Sequence, residues 1–408
     1  MKGSFYKRGN TWSYMIDVGI DPLTGKRKQK SKGGFKTKKE AQAAAADLIS
    51  EINKGEYISE KKMTFEELAD SWLENYKKLG KPKKEGTIRV REKERNLLLP
   101  FFKMRNAMDI TTNEYQNALI SLKEGQKEKN GTVIKKGLAD NTLSGVHATA
   151  GMIFRHGVKI GAVKKDPTID SYVPKDAKTV KDLENQTDLP EYLEKDELVL
   201  FLETVKEFGL ENDYETFSTL AYTGMRVGEL CALKETDLNF EENKIRISKT
   251  LYNPENNYKK YSLVTPKTIS SFREIDVDKE IMDMLKNLLA LHQIEKNKRP
   301  NSYHDEGFVF ARVGAYAGYP EIPKKVGLRM ARIIKLANLS SSLTPHSLRH
   351  THASLLAEAG ATLEQIMHRL GHANDEITRR IYLHITKPKR KEAAQKFSEL
   401  MKASKKSD

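Results

Sequence analysis

Thr344-Pro345-His346-Ser347-Leu348-Arg349-His350-Thr351 and Leu370-Gly371-His372-Ala373-Asn374-Asp375-Glu376-Ile377-Thr378-Arg379-Arg380-Ile381-Tyr382 decide the reading of this chain. Within about forty residues they gather a phenol, two imidazoles and a guanidinium, His346, His372, Arg349 and Tyr382 among them. His346 and Arg349 are spaced to share one helix face. Thr344 and Pro345 fit the N-cap and first helical position, which puts that face at the positive end of a helix, where anions bind. Gly371 fits a left-handed residue ending a helix over Leu363–Leu370, and would turn His372 back towards a bound anion. Tyr382 then follows on a short helix.

Transfer of a phosphoryl group from DNA to a side-chain oxygen asks for this inventory. Charge on the non-bridging oxygens suits the planar fork of arginine. The leaving 5′-oxygen needs a proton, which lysine or histidine can give. A phenol with a pKa of about 10 is a weak nucleophile and must be held in line. Two further stretches bear on this: Ala221-Tyr222-Thr223-Gly224-Met225-Arg226-Val227-Gly228-Glu229-Leu230 and Thr265-Pro266-Lys267-Thr268-Ile269-Ser270-Ser271-Phe272-Arg273-Glu274-Ile275.

Together these segments resemble the active-site half of the tyrosine recombinases, the phage integrase family. The resemblance implies that Tyr382 is the nucleophile and that Arg226, Arg349, His346 and His372 stabilise the charged transition state. It makes Lys267, on a β-hairpin, the general acid for the leaving oxygen. Glu229 and Arg273 become structural partners. His352 stands where relatives are expected to carry an apolar or aromatic residue, and its role is read as packing. His346 and His350 have the spacing of a metal pair, but no His-Glu-x-x-His, partner cysteine or carboxylate accompanies them. Neither a metal nor another cofactor is therefore expected.

Composition supports a polyanionic partner. Lys and Arg number 71 against 56 acids, a net charge of +15, and this favours nucleic acid. The first 39 residues carry eleven Lys/Arg against only Asp17 and Asp21. The single cysteine, Cys231, rules out a disulfide framework and fits a buried helix position in a reducing compartment. No apolar run is long enough for a membrane span, and the polar start reads as no secretory signal. The expected location is the bacterial cytoplasm, at the nucleoid.

The fold class is multidomain, mainly α with small β-sheets. Residues 1–58 read as strands over Ser4–Arg8, Thr11–Ile20 and Lys26–Phe35, a turn at Asp21–Gly25, and a helix opened by a Thr37–Glu40 capping box. This basic sheet with one helix resembles the arm-type DNA-binding domain of many integrases. Lys26, Arg27, Lys28 and Lys30 are its candidate DNA contacts. Residues 63–172 read as helical, with a Thr64–Glu67 capping box and a core stripe of Phe65, Leu68, Trp72 and Tyr76. Gly125–Gly137 reads as a Lys- and Gly-rich loop, and Asn141 as the cap of the next helix. The layout resembles the SAM-like core-binding domain of the family. Residues 173–190 read as a linker, 191–387 as a mixed α/β catalytic domain with a β-rich stretch over Lys244–Val277, and 388–408 as a tail helix.

The implied activity is site-specific recombination of double-stranded DNA through a 3′-phosphotyrosyl intermediate, integrating and excising a mobile element. Four copies would act at core-type and arm-type sites through a Holliday junction, without ATP. A directionality factor or a host DNA-bending protein could join them. Alternatives are a chromosome-resolution recombinase, a type IB topoisomerase-like enzyme, and a non-enzymatic DNA-binding protein.

Overall fold

The computed structural model describes residues 3–20, 27–53, 62–80, 82–127, 133–176, 191–266, 269–371 and 376–385. The chain divides into two compact units, Met1–Ala177 and Lys178–Asp408. The expected turn at Asp21–Gly25, most of the expected linker and the expected tail helix lie outside the described residues.

In the first unit, β1 (Gly3–Arg8), β2 (Thr11–Ile20) and β3 (Arg27–Phe35) form an antiparallel sheet in that order, followed by α1 (Lys38–Asn53). Strand alternation sends Tyr14 and Ile16 to one face, where they pack with Ala45 and Leu48 of α1. Tyr14 stacks on Phe35 with ring centroids 5.8 Å apart. The expected capping box is half formed. Thr37 Oγ1 accepts from the Glu40 amide at 3.2 Å, while the Glu40 carboxylate accepts from Lys36 N at 3.0 Å instead of from Thr37. Lys30 pairs with Ile16 in the register, which puts it on the face that packs against α1 rather than on the open face. It is half-buried. Lys26 and the side chains of Arg27 and Lys28 lie outside the described residues.

The helices of this unit are α2 (Phe65–Lys78), α3 (Glu85–Phe102), α4 (Thr112–Glu124) and α5 (Asp140–Ile160). The Thr64–Glu67 box is complete, with Thr64 N donating to Glu67 at 2.8 Å and Glu67 N to Thr64 Oγ1 at 3.3 Å. The stripe is core: Phe65 meets Phe102 and Phe154, each at 5.6 Å between centroids. Two expectations change. The segment read as a loop at Gly125–Gly137 pairs as a hairpin, β4 (Gly125–Lys127) with β5 (Val133–Lys136). The β-branched Val133 and Ile134 favour that outcome over a loop. Helix α5 starts at Asp140, so Asn141 lies inside its first turn. Asp140 is held there by Lys123 Nζ at 2.6 Å, and an acid suits the positive helix end.

The second unit opens with α6 (Lys195–Phe208), α7 (Asp213–Thr223) and α8 (Val227–Cys231). The stretch read as β-rich resolves into two sheets. The first runs β10 (Arg273–Asp276), β7 (Lys244–Ile247), β6 (Leu238–Asn239); the second pairs β8 (Thr250–Tyr252) with β9 (Ser262–Val264). Then come α9 (Lys279–Lys298), α10 (Pro323–Leu336), α11 (Pro345–Glu358), α12 (Leu363–Leu370) and α13 (Glu376–Ile385). One core joins Phe201, Phe217, Leu220, Ile245, Ile275, Leu285, Met330 and Leu348, with Cys231 buried in it. A smaller cluster of Ala353, Ala357, Ile366 and Leu370 seats Tyr382 and Ile385 of α13. Leu193 N donates to Thr351 Oγ1 at 2.8 Å, tying the start of the unit to α11. Among the described residues no helix is long and apolar enough to cross a membrane.

Candidate active site

Arg226 sits where the sequence motif requires a bend. Helix α7 ends at Thr223, and Gly224 follows in the left-handed region with φ 63°. A Cβ at Gly224 would lie 2.7 Å from both His352 Cδ2 and Leu370 Cδ2, so glycine is demanded by space as well as by backbone angle. Arg226 caps α8: its amide donates to Glu229 Oε2 at 3.0 Å and its Nη1 to Oε1 at 2.9 Å. The Arg226 side chain stays 37% exposed while that of Glu229 is 2% exposed.

Glu229 is shared. Arg273 Nη2 donates to its Oε2 at 3.0 Å, and both side chains are 2% exposed. Burial alone would raise the Glu229 pKa. The charge and hydrogen bond of Arg273, with the amide and charge of Arg226, outweigh it and hold the carboxyl below its ordinary value. Arg273 also donates through Nε to Arg369 O at 2.8 Å. It is thereby a structural cation spanning β10, α8 and α12.

Arg349 is almost fully buried. Its Nη1 donates to Gly224 O at 2.7 Å and its Nη2 to Leu370 O at 2.5 Å. One guanidinium therefore clasps the turn that presents Arg226 and the turn that follows α12. That second turn begins at Gly371, with φ 70°. A Cβ there would come within 2.9 Å of Ser270 O and 3.0 Å of Arg273 Cδ. Gly371 thus abuts the segment that follows Lys267 in sequence. His346 lies exposed in the first turn of α11, with its ring 4.7 Å from that of His350 in an edge-to-face contact. Tyr382 is half-buried on α13, against the cluster that contains Leu370.

Of the six sequence-derived positions, Arg226 and Arg349 are joined through Gly224, and Arg349 and Tyr382 both bear on Leu370. His346 stands on the same helix as Arg349. Lys267 and His372 lie outside the described residues. Two residues escaped the sequence reading. Arg369 received no role there, and His352 was assigned to packing. His352 is buried and bonded to Ala221 O at 2.8 Å and to Arg369 Nε at 2.9 Å. The signal available was its placement three residues after Arg349, hence on the same buried helix face. Burial, then the charges of Arg369 and Arg349, hold its pKa down at about 3 against the bond to Ala221. The imidazole is neutral at ordinary pH.

A mostly helical unit with two guanidiniums at a glycine turn and a helix-borne tyrosine fits the tyrosine-dependent class of DNA strand-transfer enzymes. Residues 191–389 match the model of the phage integrase family, and residues 4–52 match that of an Arm DNA-binding domain. The chain is 30% identical over 240 residues to the integrase of Staphylococcus phage L54a, covering 56% of this chain and 66% of that one. It is 28% identical over 375 residues to the prophage ps2 probable integrase of Lactococcus lactis, covering 90% and 91%. Its fold resembles the Tn1549 transposon integrase solved with transposon right end DNA, at TM-score 0.59 and 21% identity, covering 78% and 95%. The chain belongs to the phage integrase family. It is a site-specific tyrosine recombinase, an enzyme that cuts and rejoins DNA.

Replacing Glu229 by Gln leaves the buried Arg273 without its counter-charge. Stability should fall by about 3–5 kcal/mol. Urea unfolding followed by circular dichroism checks this, and an unchanged midpoint would show that the pair does not hold the turn.

Proposed function

We propose that Tyr382 attacks a DNA phosphate, forming a 3′-phosphotyrosyl bond and releasing a 5′-hydroxyl strand. The observation that carries this reading is the joining of Arg226 and Arg349 at one glycine turn, with the Tyr382 helix seated on the adjoining cluster. In the attack, Tyr382 Oη gives up its proton to solvent and forms a bond to phosphorus, the bond to the 5′-oxygen breaks, and that oxygen takes a proton. Lys267 supplies the proton in this scheme. Arg226, Arg349, His346 and His372 stabilise charge on the non-bridging oxygens. Lys267 and His372 enter on their motifs alone.

Preorganisation is what the protein contributes most. A guanidinium held by two carbonyls keeps its charge in a fixed place, so little reorganisation accompanies the developing charge of the transition state. The covalent bond conserves the energy of the phosphodiester. Attack by a 5′-hydroxyl of the partner duplex reverses the chemistry and returns the tyrosine without ATP. The reaction moves a mobile element into and out of a bacterial chromosome, with four copies on two duplexes. Residues 1–58 bind arm-type sites, 63–172 and 191–387 grip the core site, 173–190 link them, and the tail 388–408 docks between copies.

Two outcomes test this. Wild-type protein incubated with sheared DNA from its source cell and quenched in detergent should retain DNA covalently at one or two loci, and Tyr382→Phe should retain none while still binding DNA. Adduct with the variant would mean another nucleophile; scattered adduct would favour a topoisomerase-like enzyme. Deleting residues 1–58 should weaken integration severalfold and spare cleavage of a short core-site duplex. Integration unaffected by the deletion would remove the arm-site role.

A further inference from the structure

The last carbonyls of a helix have no partner within it. In α7 these carbonyls stand immediately before Gly224 and Arg226, so whatever binds them sets the direction in which the turn throws Arg226. Thr223 Oγ1 donates to Thr219 O at 2.6 Å, and Gly224 N to Leu220 O at 3.0 Å. The next two carbonyls are met from outside the helix. His352 Nδ1 bonds Ala221 O at 2.8 Å, and Arg369 Nη2 bonds Tyr222 O at 3.1 Å. These two side chains also bind one another, Arg369 Nε donating to His352 Nε2 at 2.9 Å. Arginine has only donors, so His352 Nε2 must be the acceptor and Nδ1 must carry the proton that goes to Ala221. Arg369 Nη1 reaches on to Asp276 O at 2.8 Å, at the end of β10.

We propose that His352 and Arg369 act together as a positioning pair for Arg226, capping the end of α7 so that the glycine turn delivers the guanidinium to the scissile phosphate. The pair rests on the assignment of Arg226 to that phosphate. It differs from a packing role in chemistry. A ring without nitrogens fills the space beside Gly224 but leaves Ala221 O unpaired and Arg369 Nε without its acceptor. A cation at a helix C-terminus is favourable as well, so Arg369 completes both the hydrogen bonding and the electrostatics of that end. Arg349 takes the following carbonyl, Gly224 O. Three side chains therefore hold the approach to Arg226, and two of them carry no role in the chemistry itself.

The test uses full-length protein and a nicked duplex carrying the core site recovered by covalent capture. Single-turnover cleavage is measured at saturating protein, with DNA affinity measured separately. His352→Phe and Arg369→Met should each slow cleavage by about a hundredfold, the order of loss for a misplaced group, with affinity unchanged. The double variant should be no slower than the slower single one. A second duplex carries a methylphosphonate at the scissile position, which lacks one anionic oxygen and so depends less on a guanidinium. The ratio of methylphosphonate to phosphate cleavage should rise about tenfold or more in both variants relative to wild type. His352→Asn, which keeps a donor for Ala221 O but cannot reach Arg369, should fall between wild type and His352→Phe. Wild-type rates in either single variant would overturn the proposal. So would equal losses on both duplexes, because those mark general disturbance of the fold. Wild-type cleavage of the phosphate duplex reports separately on the assigned function.

Discussion

The Arg349 guanidinium, spread between the carbonyls of Gly224 and Leu370, is the contact on which the rest of the site depends. It is a buried charge, and a buried charge is tolerated only when its hydrogen bonds are met. Here two of those bonds go to backbone carbonyls, one at each glycine turn. The requirement works in both directions. The turns must come together to solvate the cation, and the cation must stay buried to hold the turns. Gly224 and Gly371 make the approach possible, because a Cβ at either would strike a neighbouring side chain or backbone.

Around this centre the domain uses a buried charge pair, Arg273 with Glu229. An isolated buried ion pair is weak evidence of stability, since desolvation offsets much of the attraction. This one does more than pair charges. Glu229 receives the amide and guanidinium of Arg226, and Arg273 reaches the Arg369 carbonyl. Strand β10 and helices α8 and α12 thereby share one polar network beside an otherwise apolar core. Such a network fixes side-chain directions that apolar packing alone leaves free.

Much of this was legible in the sequence, for physical reasons. Thr344-Pro345 and Leu370-Gly371 are local signals, and helices α11 and α12 begin and end where those residues place them. The Phe65–Trp72 stripe gave a core helix through its period. The hairpin after α4 was missed because its strands are short and Lys and Gly dominate the segment, which hides the β-branched Val133 and Ile134. Lys30 could not be placed because a basic strand shows no face until its register is known, and its partner is the buried Ile16. The spacing of His352 from Arg349 marks only a shared helix face; its bonds to Ala221 O and to Arg369 join segments distant in sequence, which spacing does not show.

The most direct test of the account is to locate the covalent bond. Protein trapped on DNA would be digested with nuclease and then trypsin, and the peptides read by mass spectrometry. The account predicts a 3′-phosphonucleotide on the peptide that starts at Ile381, with fragmentation placing it on Tyr382. A nucleotide on any other tyrosine or serine, with the Tyr382 peptide unmodified, would contradict it.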